Sequence, residues 1–435
     1  MSQSVPVKIS FWSAVLMSIN IIVGAGIYFN PGPMAAIAGS LSFLGWALVG
    51  LVLYPVIWSL SQAAQLFPGE GGFYNYCKTA ISPSAGFIAN WAYVLGYTGT
   101  AGVYCLVLKD LLVKQVGLTI ISEYPVLANI ILITIFSLLN LLRVEMIAKL
   151  QSSSAIIKTI PLLFVIAVCA FYWGPQVTFS ASDICNLGYT MPIVIFGFFG
   201  FETCCSMGDM IEGGARQAGR VIVTAFFISM IMYTLFHLGL MYIMGVENLA
   251  TLGPVAFPQF LGFSPAVTNI MQIMVTFFII FSVFNAFYGV SSMNISNIFS
   301  LAKKNFLFGS SALSKTNSNN RPPVSVLVYG LFLFTLVTLI PSTLVMVALV
   351  SLGVCTAFAM TVIALIITYC KNKDYARTLM AVIALASCAV LLYFGWMNMG
   401  NDNMARVINA APVLIGMVVG FAMYKMQMSC SVTNK

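Results

Sequence analysis

Two glycine clusters carry the chemistry that this sequence advertises first. Ile22-Val23-Gly24-Ala25-Gly26-Ile27 and Phe196-Gly197-Phe198-Phe199-Gly200-Phe201-Glu202 each interrupt a long apolar stretch. Glycine weakens a helix by about 1 kcal/mol per residue, and in lipid an opened backbone must find its partners inside the protein. A broken helix offers N–H groups to an anion on one side of the gap and carbonyls to a cation on the other. Matching breaks in the two halves of a hydrophobic chain are a sequence sign of a secondary transporter, with its site where the breaks meet. The same glycines also suit close helix packing of the small-xxx-small kind. Both readings stand at this level.

Three titratable side chains fall inside apolar stretches. Lys158 and Glu202 lie deep, and His237 is the remaining candidate. A charge at the bilayer centre costs at least about 2.5–3.5 kcal/mol, so such residues face the protein interior. Glu202 follows the second break, where it either holds a proton or acts as a structural carboxylate bonded to loosened helix ends. Lys158 either exchanges a proton during a transport cycle or serves as a fixed cation. His237 and the Cys204-Cys205 pair read as packed residues rather than as parts of a relay.

The elements that position these residues are membrane spans. Of 435 residues, 60% are hydrophobic and 7% charged, with a mean hydropathy of +0.99, which excludes an ordinary soluble globule. A helix crosses the hydrocarbon core with roughly 20 residues. About twelve such stretches occur, near 10–33, 41–66, 84–112, 125–142, 152–173, 188–208, 221–245, 265–300, 324–340, 343–369, 379–397 and 405–425. They predict an all-α membrane protein rather than a barrel. With the N-terminus inside, about fifteen of the 19 Lys and Arg residues fall on the cytoplasmic side. Lys109, Lys114 and Arg406 fall outside. The net charge of +8 is therefore a topology signal, and the basic run from Lys303 to Arg321 reads as an inside loop rather than a nucleic-acid site. No cleavable signal peptide is expected. The ten cysteines show no metal or disulfide spacing, and no metal or cofactor is expected. One histidine and few acids at depth argue against a membrane enzyme, and no polar pore-lining helix suggests a channel.

Five segments resemble the amino acid–polyamine–organocation superfamily, in its amino acid permease and exchanger branch. Asn20 to Pro31, with Gly24-Ala25-Gly26-Ile27-Tyr28, is similar to the family's unwound first helix. Pro68-Gly69-Glu70-Gly71-Gly72-Phe73-Tyr74-Asn75-Tyr76, followed by Gly86 and Trp91, resembles its loop into span three. Lys158 sits in span five, Gly200-Phe201-Glu202 in span six with Arg216 after it, and Leu301-Ala302-Lys303-Lys304 follows span eight. The loop Ile211-Glu212-Gly213-Gly214-Ala215-Arg216 and Gly219 depart from the family pattern.

The resemblance implies the LeuT-like arrangement of two inverted five-helix repeats, residues 8–173 and 188–369, with broken helices one and six and peripheral helices over 379–425. It further implies a substrate amino acid whose carboxylate meets N–H groups around Gly24, Ala25 and Gly26. The ammonium then meets carbonyls near Ile22 and around Phe196–Phe199. Val23, Ile27 and Gly200 complete the broken segments, and Phe196, Phe199, Tyr97 and Tyr288 line the side-chain pocket. Such a lining suits neutral, apolar side chains, and a cationic one by cation–π contact. Sodium-coupled relatives hold Na⁺ between helices one, five and eight, where Lys158 supplies its own charge. The expectation is an H⁺-coupled, Na⁺-independent carrier in a bacterial inner membrane with both termini cytoplasmic, the alternative being an amino acid exchanger. Glu202 is the second coupling candidate. The expected partners are the amino acid and the lipid bilayer, with no nucleic acid.

Overall fold

Apolar stretches longer than the bilayer requires become the longest helices. The computed structural model describes residues 10–24, 26–67, 72–142, 144–171, 178–202, 212 and 214–433, and among them there is helix and turn but no strand. The chain opens with α1 (Phe11–Ile22), α2 (Gly26–Phe29) and α3 (Pro31–Ala38), then α4 (Leu44–Leu66), α5 (Gly72–Ala80) and α6 (Pro83–Val116). The short α7 (Ile120–Glu123) leads to α8 (Pro125–Leu139) and α9 (Val144–Phe171). A 3₁₀ segment, Ala181–Thr190, runs into α10 (Met191–Phe198). Next come α11 (Gly214–Met244), α12 (Val246–Leu252), α13 (Pro265–Lys303) and α14 (Ser310–Leu313). The chain closes with α15 (Pro323–Leu339), α16 (Thr343–Lys371), α17 (Tyr375–Met397) and α18 (Asn403–Thr433).

Seven helices among the described residues, α4, α6, α11, α13, α16, α17 and α18, are long and apolar enough to cross a membrane. They coincide with the second, third, seventh, eighth, tenth, eleventh and twelfth expected spans. Shorter apolar helices occupy Pro125–Leu139, Lys158–Phe171 and Pro323–Leu339. The first and sixth expected spans are the interrupted ones.

Burial sorts these helices into centre and rim. The apolar stretch of α6 is 94% buried, against 28% in α17 and 22% in α18. Ser82 starts α6 by accepting the Ala85 N–H at 3.2 Å, and Gly117 ends it in the left-handed region at φ 79°. Its partner α16 comes close because both helices are small at the crossing. A Cβ on Gly353 would stand 2.6 Å from Gly96 Cα. On the other side of the bundle α11 packs against α1, α4 and α9.

Both breaks form where the glycines fall. At the end of α1 the Gly24 N–H reaches back to Ile22 O at 2.7 Å, which ends the helical ladder before α2 resumes at Gly26. In the second break α10 stops at Phe198, Phe199 is extended, and Gly200 takes φ 115°, a conformation that favours glycine. The two interrupted helices then touch. A Cβ on Gly26 would lie 2.8 Å from Gly197 Cα, backbone against backbone.

Gly26→Ala therefore lowers the melting temperature in detergent well beyond Gly309→Ala. At Gly309 a Cβ meets nothing within 4 Å and only the positive φ of 67° is strained, a cost of about 1 kcal/mol. Equal melting temperatures for the two variants would mean that the helices do not touch at this crossing.

Candidate functional site

The crossing gathers side chains from five helices. Asn30, just beyond α2, donates its Nδ2 to Ile193 O of α10 at 2.6 Å. A Cβ on Gly197 would meet Asn30 Nδ2 and the Trp46 ring, both at 2.8 Å, so α10 is wedged between the first span and α4. Trp46 packs edge-on to Phe198 and Tyr233, at ring centroid distances of 5.6 and 4.9 Å. Its indole donates to His237 Nδ1 at 3.1 Å, while His237 Nε2 lies 3.2 Å from Ser42 Oγ. Because an indole N–H only donates, His237 carries its proton on Nε2 and donates that N–H to Ser42 Oγ. Both ring nitrogens are thus taken, which matches the packed reading of this residue.

The expected site residues divide by what they touch. Val23 and Ile27 are fully buried beside the first break. Gly24 lies under a tyrosine from α6, since a Cβ there would be 3.1 Å from the Tyr104 hydroxyl. Phe196 faces the same tyrosine, with ring centroids 5.5 Å apart. Phe199 lies 6.4 Å from the Tyr97 ring on the far side of the second break. Gly24, Gly26, Phe196 and Gly197 are therefore brought together. Ala25 lies outside the described residues, as do Pro68 to Gly71 and the segment 203–211.

Two of the expected site residues have protein partners in this conformation. The Ile22 carbonyl accepts the Tyr233 hydroxyl at 2.9 Å and the Gly24 N–H at 2.7 Å, so it has no lone pair left for an ammonium in this conformation. Tyr288 meets Arg321 Nη2 at 3.3 Å, an attachment to the loop after α14 rather than to either break.

The residues that carry the two deep charges are both bonded to the broken helices, Glu202 through its carboxylate and Lys158 through its main-chain carbonyl. Glu202 Oε1 accepts the Tyr97 hydroxyl and, at 3.2 Å, the Tyr93 hydroxyl, and its Oε2 accepts the Gly200 N–H at 3.0 Å. The carboxylate clamps the loosened end of α10 to α6. Lys158 is buried in α9, and its own carbonyl accepts the Tyr28 hydroxyl of α2. That bond joins the main chain of α9 at Lys158 to the first span. Below Glu202 a cavity of about 230 Å³ runs past Tyr93, Asn90 and Asn297 to Lys304, whose ammonium stands 4.1 Å over the Tyr74 ring.

Tyr104, Tyr233, Trp46 and Asn30 were not singled out from the sequence. Tyr104 had a usable signal, because it follows Tyr97 by seven residues and so lies on nearly the same face of α6, two turns on. Tyr233 and Trp46 had none, since their partners lie far away along the chain.

Seven helices long and apolar enough to cross a membrane, with no strand among the described residues, mark an integral membrane protein. Residues 9–419 match the amino acid permease family, and the chain belongs to that family. It is similar to an uncharacterized transporter of Mycobacterium tuberculosis, 23% identical over 250 residues, or 56% of this chain and 54% of the relative. It is also similar to a serine/threonine exchanger of Bacillus subtilis, 22% identical over 257 residues, or 57% of each. The chain spans a little over half the length of these relatives.

The Tyr104 hydroxyl over Gly24 sets up a steric test. Gly24→Ala lowers substrate uptake into proteoliposomes, and adding Tyr104→Phe restores part of it by removing the opposing oxygen. If the double variant is as poor as Gly24→Ala alone, Tyr104 does not close over this break.

Proposed function

We propose that this permease is a secondary active transporter that moves amino acids by alternating access, H⁺-coupled and independent of Na⁺. The observation that carries the proposal is the contact of the two breaks at Gly26 and Gly197, which brings freed N–H groups and freed carbonyls to one place. The substrate carboxylate takes the N–H groups around Gly24, Ala25 and Gly26, the Gly24 N–H exchanging its bond to Ile22 O for the ligand. Its ammonium takes the carbonyls of residues 196–198, which lie in the last turn of α10 beyond the helical ladder. The substrate side chain rests against Phe196, Phe199 and Tyr104, a lining that favours neutral and apolar amino acids.

The finer architecture belongs to the same proposal. About twelve spans form two inverted repeats, 8–173 and 188–369, followed by peripheral helices over 379–425, in a bacterial inner membrane with both termini cytoplasmic. Lys158, buried in α9 and joined to α2 through Tyr28, stands in for a coupling cation. Its proton exchange, together with Glu202, couples transport to the proton gradient.

A second reading has its own support. The serine/threonine exchanger among the relatives favours obligate exchange, with Lys158 a fixed structural cation. Labelled amino acid uptake into sodium-free proteoliposomes separates the two. Accumulation in empty vesicles under an inward proton gradient, lost in Lys158→Ala, is the expected result. Uptake confined to amino acid-loaded vesicles makes the protein an exchanger. Absence of uptake in every arm overturns the proposed substrate class or its sodium independence.

A further inference from the structure

We propose that the groove between α8 and α15 binds an acyl chain of an anionic phospholipid whose phosphate is held by Arg321. The groove has a volume of about 490 Å³, within the range of about 300–1,000 Å³ typical of small-molecule sites. Ile133 and Val326 form its buried floor, and the exposed side chains of Leu138, Leu327 and Leu331 form its walls. Gly330 helps to hollow it, since a Cβ there would stand 3.0 Å from Ser137 Oγ and 3.6 Å from Ile133 Cγ2. The lining is apolar over most of its length, which suits an alkyl chain.

One end of the groove, at Leu141 and Pro323, lies beside a cation. Arg321 precedes Pro323 by two residues and donates its Nε to Asn140 O, next to Leu141, at 2.9 Å. Its Nη2 reaches Ser292 Oγ at 2.9 Å and Tyr288 at 3.3 Å, and its Nη1 makes no bond to the described residues. All of these partners are neutral. Neither of the ion pairs Lys114–Asp110 and Arg377–Asp374 involves Arg321, which meets no carboxylate among the described residues. The stretch that carries Arg321 is itself free of acids, since no acidic residue occurs between Glu247 and Asp374, while Lys303, Lys304, Lys315 and Arg321 all fall in that interval.

Charge complementarity selects the occupant. A half-buried guanidinium with neutral neighbours, at the end of an apolar groove and beside an acid-free basic loop, matches an anionic headgroup joined to a hydrocarbon tail. A second transmembrane helix in the groove would satisfy the apolar wall but leave the guanidinium without an anion. Helix partners in lipid also prefer small contact residues, whereas this lining is mostly Leu, Ile, Val and Phe. A bound lipid would brace the joint at which Arg321 connects α8, α13 and α15.

Native mass spectrometry on the full chain, equilibrated with equimolar dioleoyl phosphatidylglycerol and dioleoyl phosphatidylcholine, tests the proposal. The wild type is expected to retain phosphatidylglycerol about fivefold over phosphatidylcholine, the ratio expected from one Arg–headgroup contact. Arg321→Gln brings the ratio to parity, Arg321→Lys keeps most of it, and Thr134→Trp, which fills the groove, lowers retention of both lipids. Equal retention of the two lipids by the wild type overturns the proposal. So does an Arg321→Gln protein with an unchanged melting curve and an unchanged ratio. A cross-link from Leu327→Cys to a second copy of the chain, formed at the expense of lipid retention, assigns the groove to a protein contact instead. Since none of these readouts requires transport, they stand or fall separately from the proposed carrier function.

Discussion

Two interrupted helices have to cross with their backbones in contact, and the surrounding architecture is arranged to allow it. At Gly26 and Gly197 neither residue can carry even a methyl group without striking the other helix or its neighbours. Trp46 and Asn30 close around Gly197 from opposite partners, α4 and the first span. Trp46 is itself oriented by His237, and its ring leans on Tyr233, whose hydroxyl holds the last carbonyl of α1. A single chain of contacts therefore runs from the crossing through α4 and α11 back to the first break.

Opening a helix inside a bilayer leaves peptide groups without water, at a cost of several kcal/mol for each one left unpaired. Long-range side chains meet that demand here. Tyr233 takes Ile22 O, Asn30 takes Ile193 O, and Glu202 takes the Gly200 N–H. Each of these polar groups is buried, and each bonds to the main chain of a broken segment. This accounts for the polar residues at depth without assigning every one of them to the substrate. Asn30 keeps one acceptor, its Oδ1, buried without a partner at the crossing itself.

The hydropathy pattern was enough to place the long helices, because length and apolarity are local properties. The two breaks were legible for the same reason, as glycine clusters act on their own backbone. Rotation about a helix axis was less accessible. Tyr97 was expected in the pocket lining; its hydroxyl turns to Glu202, while Tyr104, two turns on, covers Gly24. Tyr288 was placed beside the breaks because it is aromatic and deep, but Arg321, thirty-three residues later, claims its hydroxyl. In a chain where nearly every helix is apolar all round, hydropathy carries little information on which face meets which neighbour. The pairs that build the site, Tyr233 with Ile22 and Trp46 with His237, are separated by 211 and 191 residues. A single sequence offers no local pattern from which to find such pairs.

The two buried charges differ in what they bind together, and that difference bears on how the site can move. Glu202 joins the end of α10 to α6 through Tyr93 and Tyr97, so both lone-pair-bearing oxygens are committed while the two elements stay in register. Displacing the end of α10 from α6 must release those hydroxyls together and leave a carboxylate in need of new donors. Lys158 is attached differently, because the bond from Tyr28 is to its main chain. That bond from Tyr28 is neutral, and a shift of the first span against α9 must exchange it. The second break is thus held by bonds to a carboxylate, which are stronger than neutral ones such as those from Tyr28 and Tyr233 at the first.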